Sequence, residues 1–213
     1  MQEKIIKDKE IKCWVNNFRR EEAYWKDIKK YFSNKGNFRL YYGKSDWRLC
    51  TNVIHIMDLI EWLSNEKIIK IDCSLLDKKI YESKRSGFIE LTGIITGKTS
   101  NNGTFELHAV KDIPDIEVKF EISNQNTRLH VNEANGEGIL MRKENNWKPE
   151  KHKVKIRFQS DRTQEVVKAI LETGNCNLPT FNESSNTHKP LLKSIMKHIN
   201  KISNIRYDSC PIT

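Results

Sequence analysis

Between Ser86 and Phe158 the sequence alternates, and this limits the fold more than any other feature. The stretches "GFIELTGIIT", "TFELHAV", "IEVKFEI", "TRLHV", "GILMRK" and "KVKIRFQ" follow one another, and their apolar residues recur at the period of a strand with one buried face. The breaks between them include "TSNNGT", "SNQN", "NEANGEG" and "NNWKPEK", rich in the residues that tolerate the backbone of tight turns. Parallel neighbours need a crossover of about a dozen residues or more, so breaks this short predict antiparallel pairing.

The flanking regions follow the helical period instead. Trp14, Phe18, Trp25, Ile28 and Phe32 recur at steps that put them on one stripe, predicting a helix of about twenty residues over Ile11 to Phe32. "NFRLYYG" and "KIIKIDC" read as short strands on either side of a second helix, from Thr51 or Asn52 to Ser64 and Asn65, and "SLLDKKIYESK" as a further short helix. Downstream, Asp161 and Gln164 have capping-box spacing and Gly174 ends the helix they open. Residues 174 to 190 read as a polar loop, followed by an amphipathic helix carrying Leu191, Leu192, Ile195, Ile199 and Ile202. The expected fold class is α+β: a mainly helical N-terminal part (1–85), a central antiparallel β region ending in a helix (86–180), and a polar linker with a C-terminal helix (181–213).

The chain of 213 residues holds 37 Lys and Arg against 28 Asp and Glu, a net charge of +9. Residues 1–85 contain 19 basic and 13 acidic residues, and residues 181–213 contain 5 and 2, so the predicted helical parts hold the excess. Such a surplus suits a polyanionic partner. Cys13, Cys50, Cys73, Cys176 and Cys210 are odd in number and form no CxxC pair, which fits a reducing cytosol better than a disulfide framework or zinc ribbon. The start, "MQEKIIKDKEIK", lacks the apolar core of a signal peptide. The most apolar run, "NVIHIMDLIEWL", is too short and too charged to span a bilayer. A cytoplasmic protein without a membrane role is expected.

Two stretches carry candidate sites. In "DIPDIEVKFEI", Glu117 and Lys119 share the polar face of a strand that follows Asp112 and Asp115. The acid-x-Lys pattern is similar to the PD-(D/E)XK nuclease superfamily. That resemblance covers about ten residues and implies Mg²⁺ held by Asp112 or Asp115 with Glu117, while Lys119 positions the attacking water. Asp115 stands on the same strand as Glu117, and the acid-x-Lys pattern recurs at Glu10/Lys12, Asp27/Lys29, Asp77/Lys79 and Glu82/Lys84. A wet strand face with cross-strand charge pairing explains the same residues without a metal.

The second stretch is "NNWKPEKHKVKIRF". As a strand it aligns Lys153, Lys155 and Arg157 on one face, with Lys148 and Lys151 nearby and Trp147 available to stack on a base. Lysines guarding an edge strand give the same pattern. On the second helix His55, Asp58 and Glu61 lie near one another, and an i, i+3 His and Asp can share a metal, but a narrow polar stripe on a buried helix explains them more simply. No GxxxxGK[ST], GxGxxG or GxSxG occurs. The expectation is a non-catalytic binding protein with nucleic acid as ligand, or else a protein partner, and with no cofactor and no metal. The alternatives are a Mg²⁺-dependent nuclease and an antitoxin- or immunity-type inhibitor.

Overall fold

A computed structural model describes residues 2–112, 119–157 and 159–212. One eight-stranded sheet organises them, in the order β10-β9-β8-β7-β1-β6-β5-β2. Its strands are β1 (Arg39–Ser45), β2 (Ile68–Leu76), β5 (Gly93–Thr99), β6 (Thr104–Val110), β7 (Lys119–Ser123), β8 (Thr127–Asn132), β9 (Glu137–Arg142) and β10 (Glu150–Lys153). A separate hairpin pairs β3 (Tyr81–Glu82) with β4 (Ile89–Glu90). The helices are α1 (Gln2–Asp8), α2 (Ala23–Lys29), α3 (Leu49–Ser64), α4 (Ser160–Thr173) and α5 (Phe181–Ile202).

The expected fold class is therefore corrected. The N-terminal region is not a helical unit set against an antiparallel sheet: it supplies β1 and β2 to the same sheet, and the sheet is mixed. β1 runs parallel to β6 and antiparallel to β7, filling the slot between two groups of consecutive strands. Turn chemistry fixes neighbours that are close in sequence. It is silent about β1, which meets its partners through long-range pairing.

Alternation decides which face is buried. Leu40, Tyr42, Phe105, Leu107, Phe120, Ile122, Leu129 and Leu140 point into one hydrophobic cluster with Trp25, Ile28, Phe32, the apolar side of α3, and Leu191, Ile195 and Ile199 of α5. Phe120 is fully buried, and its ring lies 4.7 Å from that of Trp25. On the opposite face Tyr41, Glu106 and Glu121 are only partly covered and Arg128 and His130 are exposed. Ile116 and Val118, expected in the same core, lie outside the described residues.

Several elements depart from the sequence expectation because backbone partners elsewhere win. The helix expected over Ile11 to Phe32 is reduced to a 3₁₀ turn at Phe18–Glu21 and to α2. Upstream, Val15 N donates to the Pro179 carbonyl at 2.8 Å, and Phe181 N donates to that of Cys13 at 2.9 Å. The backbone there pairs with the approach to α5 instead of with itself. "SLLDKKIYESK" forms the end of β2 and the start of the β3–β4 hairpin, not a helix. α4 lacks the expected side-chain cap. The capping box belongs to Thr180 and Glu183, so residues expected to form a polar linker open the 22-residue α5, which continues through Pro190. No helix among the described residues is long and apolar enough to cross a membrane.

Candidate active-site groove

β1 and β6 end side by side, and the turn after β1 carries the chain into α3. Asp46 sits in this turn with φ of +49°, and its N–H donates to the Val110 carbonyl at the end of β6, 2.9 Å away. A side-chain carboxylate tolerates this left-handed backbone where a β-branched residue would not. The N-terminus of α3 is closed by Glu90, whose carboxylate accepts from Cys50 N at 2.9 Å and from Thr51 Oγ at 2.5 Å. An anion there complements the partial positive charge of the helix start.

A polar cavity of about 310 Å³ opens at this corner, between the ends of β1 and α3, the 3₁₀ turn and the loop after β8. Its walls include Tyr42, Lys44, Trp47, Asn52, His55 and the Arg19–Glu133 ion pair. That pair is bidentate, with Arg19 Nη2 3.0 Å from Glu133 Oε2. Trp47 stacks edge-on to Tyr42 at 4.8 Å between centroids. Asp46, Trp47 and Arg48 also line a second cavity of about 290 Å³ that reaches Tyr81 and Lys111. The two cavities together form a groove across the carboxyl ends of the parallel pair, the position where open sheets with parallel strands tend to bind ligands.

His55 is the unusual group in this groove. Its Nδ1 is buried without a hydrogen-bond partner among the described residues. Burial, with the Arg19 guanidinium and His188 adding to it, pushes its pKa down to about 4. The imidazole is therefore neutral near pH 7. A histidine with an ordinary value of about 6.5 when unfolded takes up its proton there before it does so in the folded protein. Stability is then lost as pH falls from about 6.5 towards 4, by roughly 2 to 3 kcal/mol from this group. Urea unfolding at a series of pH values should show that slope in the wild type and a flatter one in His55→Gln. Equal slopes would refute the assignment.

The metal grouping considered around His55 is absent. Asp58 is held by Arg20, and Glu61 accepts from Ile68 N at 2.8 Å and from Thr187 Oγ at 2.7 Å. No group of three His, Cys, Asp or Glu among the described residues is arranged to hold a metal.

The sequence-derived candidates lie elsewhere. Asp112 is exposed, with φ of +57°, and Lys119 is exposed at the start of β7 opposite Gly43. Asp115 and Glu117 lie outside the described residues. The expected basic strand is shorter than the pattern implied, because β10 ends at Lys153. Lys148, Lys151, Lys153 and Lys155 are exposed, whereas Arg157 is tied to Glu165 at 2.7 and 3.1 Å. Trp147 has φ of +59°, rare for a bulky residue, and its ring lies 4.5 Å from the Arg128 guanidinium.

No protein-family model and no curated protein matches the sequence. The fold, however, is one found among oxidoreductases. UDP-N-acetylglucosamine 3-dehydrogenase from Acidithiobacillus ferrooxidans superposes with a TM-score of 0.65 at 10% identity, over 92% of this chain and 63% of that one. A structure from Desulfitobacterium hafniense described as an NADPH-dependent oxidoreductase gives 0.62 at 10% identity, over 93% and 66%. The super-repressor mutant of Gal80p from Saccharomyces cerevisiae gives 0.66 at 11% identity, over 97% and 69%. The chain thus spans less than two thirds of the length of either oxidoreductase. The likeness to oxidoreductases corrects the expectation of a non-catalytic nucleic-acid or protein-binding module, and equally those of a nuclease or an inhibitor. It also corrects the expectation of no cofactor, since one neighbour in fold is described as NADPH-dependent.

The residues described here do not themselves fit a dinucleotide. Such a cofactor lays its pyrophosphate on the glycine-rich start of a helix within a parallel βαβ unit. Here the helix after β1 begins without that motif, and the Glu90 carboxylate occupies its first turn. The sequence offered no signal for His55 beyond its helical neighbours, because Arg19 and Glu133, which complete its surroundings, come from distant segments.

Proposed function

We propose that this chain forms the substrate side of an NAD(P)-dependent oxidoreductase acting on a hydroxylated, sugar-like molecule. The dinucleotide belongs to a unit outside the residues described here. One observation carries the reading: a half-buried, neutral imidazole lining a polar groove at the ends of β1 and β6. A sugar hydroxyl can pair with the exposed side of the imidazole, and Lys44 and Asn52 line the same cavity with further donors. The fold likeness to a dehydrogenase named for a sugar nucleotide supports the substrate class.

The test is binding of glucose, N-acetylglucosamine and myo-inositol, followed by NMR titration of the full chain. At least one should bind saturably, with affinity reduced by about tenfold or more in His55→Ala and retained in Lys151→Ala. Absence of saturable binding by all three, or equal binding by His55→Ala, would defeat the proposal.

A further inference from the structure

We propose that the cavity between the chain just after α2, the turn from β7 to β8 and the end of β9 is a binding site for a small polycarboxylate. Its volume is about 450 Å³, and Lys30, Tyr31, Lys35, Asn126, Arg142 and Lys143 are among its lining residues. Glu144 is the one carboxylate among the described residues that line it. The cavity lies near the start of β1, where Arg39 pairs with Ser123. It is thus at the other end of that strand from the groove beside His55, with which it shares no lining residue.

Hydrogen bonds fix the frame of this cavity. Asn124 Oδ1 accepts from Asn126 N and Thr127 N, both at 2.9 Å, and its Nδ2 donates to the Tyr31 carbonyl at 3.0 Å. Lys143 N donates to the Asn126 carbonyl at 2.9 Å. Three segments distant in sequence are joined around one opening. The Tyr31 ring gathers two of the cations, with Lys30 Nζ at 5.0 Å and the Arg142 guanidinium at 5.4 Å from its centroid. The negative face of such a ring attracts cations.

Arg142 indicates the ligand's chemistry. Glu150 Oε1 accepts from its Nε at 3.2 Å and from its Nη2 at 2.8 Å, and Asn145 Nδ2 donates to the same oxygen at 2.9 Å. That edge of the guanidinium is held in place. Its Nη1 donates to the Glu144 carboxylate, whose side chain is 71% exposed. An ion pair this exposed contributes little to stability, so a ligand carboxylate can take the position of Glu144 at small cost. A single carboxylate would gain only what Glu144 already supplies, and Glu144, tethered beside Arg142, has the advantage of effective concentration. Further carboxylates change the balance, because Lys30, Lys35 and Lys143 have no ion-pair partner among the described residues. Lys30 caps the end of α2, where a cation complements the helix dipole, but Lys35 and Lys143 stand at no α-helix end.

The probe is citrate, titrated calorimetrically into the full chain at low salt, with acetate and inorganic phosphate as comparisons. One-to-one binding is expected, tighter than that of either comparison and weakened about tenfold or more in Lys35→Ala/Lys143→Ala. The exposed pair Lys153→Ala/Lys155→Ala should change it by less than about twofold. Glu144→Gln removes the competing carboxylate and should tighten binding about threefold or more, whereas Glu172→Gln, at an exposed position on α4, should not. Absence of saturable citrate binding, acetate or phosphate binding as tightly as citrate, equal losses in the two lysine variants, or no gain in Glu144→Gln would each overturn the proposal.

Discussion

Phe120→Ala will lower the free energy of unfolding by about 3 to 5 kcal/mol. The ring is fully buried in the middle of the sheet, between Trp25 on α2 at 4.7 Å and Tyr42 on β1 at 6.4 Å. Removing it deletes buried apolar area and leaves a cavity walled by Trp25 of α2 and Tyr42 of β1. A strand cannot shift inwards to fill that space without breaking its ladder to β1 or β8, so collapse around the deletion is limited. Equilibrium urea unfolding provides the measurement, with the slope unchanged and the midpoint lowered. A loss under about 1 kcal/mol would mean that the ring is not packed as described.

The second large effect is expected at Arg20, on the 3₁₀ turn before α2. Its guanidinium makes two parallel bonds to Asp58 on α3, from Nε to Oδ2 at 2.8 Å and from Nη2 to Oδ1 at 2.6 Å, with both side chains almost wholly buried. Arg20→Leu leaves the Asp58 carboxylate in the interior without its partner, at a cost of about 3 to 5 kcal/mol. Replacing both residues, as Arg20→Leu/Asp58→Leu, removes the stranded charge and should recover most of the loss. Buried pairs commonly show little net advantage over apolar residues of similar volume. Thermal unfolding of the two variants separates the cases: if the double variant is no more stable than the single one, the pair is not an isolated buried unit.

These two sites show what could be read from the chain and what could not. The apolar alternation placed Phe120 in the core correctly, because a strand with one wet face writes its burial into every second residue. The pairing of β5 with β6 and the meander of β7, β8 and β9 were legible for a similar reason, since neighbours close in sequence announce themselves by their turns; the break between β6 and β7, which β1 fills, was not. Arg20 and Asp58 gave no such signal. Each reads as a surface charge until the 3₁₀ turn and α3 are packed together, and the two stand 38 positions apart. The groove was hidden in the same way. Tyr42 and Lys44 come from β1, His55 from α3, Arg19 from the 3₁₀ turn and Glu133 from beyond β8. The capping box at Thr180 and Glu183 was legible in principle, but Asn-rich surroundings and Pro190 pointed to a loop. The basic run 148–157 illustrates the reverse: a strong local pattern, of which only Glu150–Lys153 became strand.

The position of β1 also bears on how the chain reaches its native state. Strands β5 and β6 can zip together as soon as both exist, and β7, β8 and β9 can do the same as a meander. Neither group alone makes the full sheet. β1 is synthesised well before both of its partners, and must be held without them until Thr104–Val110 and Lys119–Ser123 emerge. Closing loops of that length precedes any reward from the contacts they bring. The joining of the two groups through β1 is thus the expected slow event of folding, and until it happens each group carries an unpaired edge open to wrong partners.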